Sequence, residues 1–364
     1  MYSLASLLGL SAFAFALPKP SADLSSHCKS ISIPITVSVP RYILSTSIHD
    51  NWDAAALTFN LTSNDFTTSS DPLPITGITP TPINSTYTIG ATLCGTGGSP
   101  TLILTHGIIE SKLYWSPNLP DSDQYNFVKA AVGAGYSVLY YDRLGVGSSS
   151  TVNSTTDAQF PVEVSILNTL IAYSRTYFNS TSTSLLGHSY GSYISTASAS
   201  QINVDALILT GFSGTIANFG PFLAGASFRV ARLQNPSRWG HLDPGFLTSA
   251  DLYAETYVYF ASPHFEHRIA EWTYEVASEP FAVAELPTLL ATDIKFEDIK
   301  APTLVLQGRY DVSACGGECV GVINKTTKAL FSGAEDFEFV DDLEAGVAPK
   351  AFQIVFDFLK AHDV

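Results

Sequence analysis

A chain of 364 residues, 46% hydrophobic and 14% charged, carries enough apolar material for one large domain or two small ones with a sizeable core, which excludes a disordered or fibrous protein. Eighteen Lys and Arg against 33 Asp and Glu leave a formal charge of −15, which argues against nucleic acid or an anionic membrane as partner and for small, neutral or cationic ones. The one long apolar stretch runs from Leu4 to Leu17 and ends in Ala14-Phe15-Ala16 before Pro18. It reads as a secretory signal peptide over residues 1–16, and no membrane span is expected elsewhere. Five Asn-X-Ser/Thr sequons, at Asn60, Asn84, Asn153, Asn179 and Asn324, fit a glycosylated, extracellular protein.

Four cysteines suit an oxidising compartment and allow three pairings. Cys315 and Cys319 flank Gly316-Gly317-Glu318, short enough to close a tight loop, and Cys28 would then pair with Cys94; four free thiols are the alternative. A zinc site is disfavoured, because Cys315 and Cys319 have no His close by and no second pair of ligands. Neither a metal nor a cofactor is expected.

In chain order, Ile31 to Val39 and Tyr87 to Cys94 read as strands joined by a polar, proline-containing connection. A strand from Thr101 to Thr105, a helix from Gln124 to Val132 and a buried strand from Tyr136 to Tyr141 follow. Then come a helix from Phe160 to Phe178, a strand ending at Ser184 to Leu186, a small-residue helix from Ser192 to Ala199 and a strand from Val204 to Leu209. Such alternation predicts an α/β fold with a mostly parallel sheet covered by helices on both faces. From Ser213 to Pro287 it fails: the segment is aromatic, with helical patches at Ala250 to Phe260 and His267 to Ala277. Strands resume at Thr303 to Leu306 and Asp336 to Val340, before a last helix from Ala348 to Lys360. Residues 213–287 are therefore expected as a helical cap inserted within a single domain over 28–364.

The chemistry is concentrated at Gly187-His188-Ser189-Tyr190-Gly191, a G-X-S-X-G between a strand and a helix. A sharp strand-to-helix turn holds such a serine in a strained conformation, and the backbones around it can approach only where both outer positions lack a side chain. The amide of Tyr190, at the positive end of the helix, then faces the place where an oxyanion would form.

With this motif the sequence resembles the α/β-hydrolase superfamily, from roughly Ile31 to Lys360. Thr105-His106-Gly107-Ile108 is similar to the family's His-Gly turn, which implies the Ile108 amide as second oxyanion donor. Asp142-Arg143-Leu144-Gly145-Val146-Gly147-Ser148 resembles its D-x-x-G-x-G-x-S loop. Those glycines alone would also suit a dinucleotide, but the acidic partner that such a site requires is at best Glu163, inside a helical pattern, so a structural turn is preferred. Gly308-Arg309-Tyr310-Asp311 after a strand looks like the family's acid, which implies Asp311 as the group orienting a catalytic histidine; an ordinary loop acid capping a turn is the other reading. The aromatic cap and the cysteine placement resemble secreted fungal members.

One element of the pattern is missing. After Phe337-Glu338-Phe339-Val340 the family places its histidine, whereas here Asp341-Asp342-Leu343-Glu344-Ala345-Gly346-Val347 leads directly into the final helix, and no His occurs between His267 and His362. Asp341 and Asp342, with ordinary carboxylate pKa values near ~4, are poor acceptors for a serine proton. His241, His264 and His267 in the cap and His362 near the C-terminus are the remaining candidates, so the base is unassigned. His106 and His188 are expected to support turns and packing, and His27 and His49 to lie on the surface.

Two functional classes follow. One is a secreted serine hydrolase of carboxylic esters, with Ser189 as nucleophile, Asp311 as orienting acid and the Ile108 and Tyr190 amides as oxyanion donors. The other is a catalytically inactive homologue binding an apolar small molecule. A peptidase-like relative is a further alternative, since Glu255, Glu266, Glu271, Glu275 and Glu279 in the cap could meet a free amine, although near-helical spacing favours a solvated face for them.

Overall fold

The computed structural model describes residues 28–63, 73–260, 265–327, 330–331, 336–340 and 348–364. Eight strands form the main sheet: β1 (Cys28–Val39), β2 (Ile83–Cys94), β3 (Thr101–Thr105), β4 (Ser137–Tyr141), β5 (Thr183–His188), β6 (Leu207–Thr210), β7 (Thr303–Gly308) and β8 (Asp336–Val340). Their spatial order is β1-β2-β4-β3-β5-β6-β7-β8; β2 runs antiparallel to both of its neighbours, and every pairing from β4 to β8 is parallel. The predicted α/β fold class is therefore the observed one.

Strand sequences explain this layering. Every residue of β3, β4, β5, β6 and β7 is buried, the pattern of strands covered on both faces. Successive side chains point to opposite faces. Ile103, Leu139, Leu185, Leu209 and Val305 join a core with helices α2 (Phe160–Tyr177) and α3 (Tyr190–Ala199), below. Leu102, Leu104, Val138, Leu186 and Leu306 pack instead against α1 (Phe127–Gly133) and α4 (Ala348–Ala361). Edge strand β1 alternates, burying Ile33, Ile35 and Val37 and exposing the residues between them.

The sequence expectations need three corrections. The helix expected from Gln124 starts later: Asp123–Tyr125 is a 3₁₀ turn, and Asn126 caps α1 by accepting from the Lys129 amide at 2.8 Å. The connection between β1 and β2 holds a two-stranded hairpin, Tyr42–Leu44 with Ile75–Ile78, and a helix, Asn51–Ser63. Asp50 caps that helix through the Trp52 and Asp53 amides, while Asp53 reaches back to the His49 amide. This reciprocal capping, followed by buried Ala54, Leu57 and Leu61, was present in the sequence as a start signal. Finally, the segment between β6 and β7 is not purely helical, since Arg229–Val230, Phe246–Thr248 and Phe281–Ala282 form a small antiparallel sheet.

Cys28 stands opposite Cys94 in the β1–β2 register and is bonded to it, and Cys315 is bonded to Cys319. Among the described residues no helix is long and apolar enough to cross a membrane. The proposed signal segment, His27, His264 and the loop with Asp341, Asp342 and Gly346 lie outside the described residues.

The Cys28–Cys94 bond closes a long loop, with a sequence separation of 66. A Cys28→Ser, Cys94→Ser double variant is expected to keep the fold and lose about 2–4 kcal/mol, because the unfolded chain regains the freedom that the cross-link removes. Urea titration checks this; an unchanged midpoint would contradict it.

Candidate active site

Strand β5 ends at His188 and α3 begins at Tyr190, so Ser189 makes the whole turn, at φ 52° and ψ −120°. A non-glycine residue in that region costs on the order of 1–3 kcal/mol and persists only where its surroundings impose it. Here they do. A Cβ on Gly187 would stand 2.5 Å from the Gly191 carbonyl oxygen, and one on Gly191 would stand 2.2 Å from the Thr105 carbonyl oxygen. Small residues on α3 continue the close approach, with Ser192 donating to the Thr210 carbonyl at 2.8 Å.

The turn after β3 faces this serine. His106 Nδ1 donates to the Gly107 carbonyl at 2.8 Å and Nε2 accepts from the Arg143 amide at 3.0 Å, which fixes the neutral tautomer. Burial, reinforced by the Arg143 charge, lowers its pKa, so His106 is a turn brace, as expected. Tyr259 Oη, from the segment between β6 and β7, donates to the Ile108 carbonyl. Among the described residues the Ile108 and Tyr190 amides make no hydrogen bond.

Behind Tyr190 lies a fully buried charge cluster. Arg143 Nη1 contacts Glu285 at 2.7 Å and Glu163 at 3.3 Å, and its guanidinium sits 4.7 Å from the Tyr190 ring centre. Burial raises the pKa of both carboxyls, and Arg143 pulls against that shift. For Arg143, burial alone would lower the pKa, but Glu285 and Glu163 outweigh it and the guanidinium stays charged. The D-x-x-G-x-G-x-S loop is thus structural, as expected: Asp142 accepts from the Lys112 and Ser148 amides at 3.0 and 2.8 Å, and Glu163 serves Arg143 rather than a ribose.

Asp311 follows β7, two strands from β5, and is half-buried. Its Oδ1 caps the short helix Val312–Cys315 through the Ala314 amide at 2.7 Å, and its Oδ2 accepts from Gln307 Nε2 at 2.7 Å. Burial raises its pKa. The capping role weighed from the sequence is therefore real, and among the described residues no histidine contacts this carboxylate. His49, His241, His267 and His362 are all exposed, and none of them bonds to Ser189.

The sequence reading missed Glu110. It is 4% exposed, accepts from the Gly107 amide at 2.6 Å through Oε2, and places Oε1 3.5 Å from His188 Nε2. Burial lifts its pKa to about 8, against the opposing pull of the Gly107 amide, and burial drops that of His188 to about 3. Both shifts favour the uncharged form of each group. Glu110 also lines an aromatic pocket with Tyr114, Trp115, Tyr259, Trp272 and Phe352. Its position three residues after Gly107 was the available signal, but only the left-handed backbone of Ile109, φ 57°, turns it inward.

The acidic residues between β6 and β7 also need correction. Glu255 does not belong to a solvated face: it is buried, accepts from Ser249 and Ser278, and has a pKa raised to about 7 chiefly by burial. Glu266 accepts from Tyr125 Oη at 2.5 Å and Glu279 from Trp239 Nε1 at 2.8 Å, which leaves Glu271 and Glu275 exposed.

Glu110 also sets a pH dependence of stability. Its proton is lost near the ordinary value of 4.5 in the unfolded chain but only near about 8 in the folded one. The contribution is thus fully present below pH 4.5 and disappears as the pH rises through about 8. Melting temperature should fall across that window, and less steeply in Glu110→Gln; parallel curves for the two proteins would contradict this assignment.

Comparison with known proteins agrees with the geometry. Similar solved structures include one from a study of carboxylesterases of the thaumarchaeon Nitrososphaera gargenis (15% identity, TM-score 0.54, covering 77% of this chain and 97% of that one). A hydrolase from Pseudomonas aeruginosa PA01 is 17% identical, with TM-score 0.52 over 76% of this chain and 94% of that one. A bromoperoxidase from Bacillus anthracis is 18% identical, with TM-score 0.51 over 75% and 96%. At such identities the likeness concerns the fold. No curated protein sequence matches the chain. The sequence matches the alpha/beta hydrolase family over residues 102–345, from β3 to beyond β8, and the chain belongs to that family.

Proposed function

We propose that this protein is a secreted serine hydrolase of carboxylic esters with Ser189 as its nucleophile. The observation that carries the reading is the left-handed backbone of Ser189 at a strand-to-helix turn, beside two amides with no other partner among the described residues. A protein tolerates such strain where the geometry is used. Ser189 Oγ attacks the ester carbonyl, and the Ile108 and Tyr190 amides hold the developing oxyanion. The aromatic pocket beside Glu110 accepts an apolar acyl or alcohol group, and residues 213–287 act as the cap that encloses it. The carboxylesterases named for a structural neighbour support the same chemistry. Export is supported by the leader-like 1–16 segment, the two disulfides and the exposure of Asn60, Asn84, Asn153, Asn179 and Asn324.

One observation favours a second reading, a homologue that binds an apolar molecule without turnover: no described histidine contacts Ser189 or Asp311. Labelling with a fluorophosphonate, combined with hydrolysis of short p-nitrophenyl esters, separates the two. The hydrolase reading expects labelling and slow turnover that both disappear in Ser189→Ala, at rates well below those of a complete triad, whose loss of one member costs about 10⁴–10⁶ in kcat. Equal behaviour of wild type and Ser189→Ala would leave the binding reading. Mass spectrometry of culture medium before and after deglycosylation tests export; an intact Met1 on an intracellular, unmodified chain would refute it.

A further inference from the structure

We propose that Glu110 is the general base for Ser189, filling the role of an imidazole from across Gly107. The inference rests on the serine-hydrolase reading and adds the proton acceptor to it. A Cβ on Gly107 would stand 3.0 Å from Ser189 Cβ and 3.1 Å from Glu110 Oε2, so the serine and the carboxyl border the same small space beside Gly107, close enough for one water or a turn of the hydroxyl to join them. Glu110 also lines the aromatic pocket, which brings substrate to the same carboxyl.

An ordinary carboxylate is too weak a base for a serine proton. Glu110 differs because burial moves its pKa to about 8, into the range of useful bases near neutral pH. Its surroundings maintain that value. His188, at the end of β5, is held neutral by burial, and the Tyr114 ring stacks on it at 4.6 Å. Arg143 and the Gly107 amide pull the pKa down, while Glu255, from the segment between β6 and β7, pushes it up.

The step balances without a cofactor. As Ser189 Oγ bonds to the ester carbonyl carbon, its proton passes to the Glu110 carboxylate. When the tetrahedral species collapses, the C–O bond to the alcohol breaks and Glu110 returns that proton to the departing oxygen. Water then gives a proton to Glu110 as it attacks the acyl-serine, and the proton goes back to Ser189 Oγ with release of the acid.

Glu110→Gln keeps an oxygen for the Gly107 amide and resembles the neutral acid present at pH 7, so it should fold; a thermal melt verifies that. The experiment measures kcat/KM for p-nitrophenyl acetate from about pH 5.5 to about 9.5 in the full chain, in Glu110→Gln and in Ser189→Ala, with fluorophosphonate labelling of each. The proposal expects Ser189-dependent turnover that rises with pH, has its inflection at about 8 and levels off above that. In Glu110→Gln it should fall by about 10²–10⁴-fold and lose that inflection. Turnover within about twofold of wild type in folded Glu110→Gln would overturn the proposal, as would loss of turnover on replacing His241, His264, His267 or His362 while Glu110→Gln stays active. Labelling of Ser189 without ester turnover at any pH would also overturn it while leaving the nucleophile in place. Absence of both labelling and turnover would remove the hydrolase reading with it.

Discussion

The architecture around Ser189 depends on one buried guanidinium. Arg143 lies on the loop after β4, Glu163 on α2 and Glu285 on the segment between β6 and β7, so a single side chain joins three parts of the chain far apart in sequence. Taking these charges out of water costs several kcal/mol per ion, and the arrangement survives because the opposite charges are in contact. Two carboxyls raised by burial share one cation, and that cation also lies against the Tyr190 ring. Tyr190, whose amide has no hydrogen-bond partner among the described residues, is thereby held from behind. Removing either the arginine or Glu285 would strand buried charge and loosen the segment that covers the turn.

Steric exclusion supplies the second constraint. Gly187, Gly191 and Gly107 allow β3, β5 and α3 to approach until a single methyl group would not fit, and the positive φ of Ser189 is the consequence of that approach. The free energy stored in this turn is small compared with the core that holds it, where Ile103, Leu185 and Leu209 are all fully buried on one face of the sheet. Packing and strain are thus one arrangement viewed at two scales. The rigid sheet gives the turn its shape, and the turn leaves two amides without partners.

Around the turn the sign of the electrostatics is unusual for an acidic protein. Glu110, Glu163, Glu255 and Glu285 are buried, and burial raises the pKa of each. His106 and His188 are driven the other way by the same cause. The net charge of −15 therefore belongs mainly to the exterior, and the pocket that Glu110 lines is walled by aromatic side chains. Such a setting suits an uncharged ligand better than an anion.

Local rules were enough for much of this in the sequence. Continuous apolar runs such as Leu102-Ile103-Leu104 identify buried parallel strands, and G-X-S-X-G between a strand and a helix fixes the elbow, because both depend on neighbours along the chain. Asp50 with Asp53 was equally local, and its helix start was legible although it went unread. Other features were not legible at all. That Glu110 and Ser189 border the same space beside Gly107 depends on a left-handed Ile109 and on a serine 79 residues downstream being brought there by β5. That Glu255 is buried while Glu271 is exposed depends on Ser249 and Ser278 meeting it in space. The sequence by itself determined the sheet, the elbow and the absence of a histidine between β8 and the final helix. Only tertiary packing decided which carboxyls lose water and so acquire the basicity that an ordinary acid lacks, because desolvation is a property of the assembled surroundings.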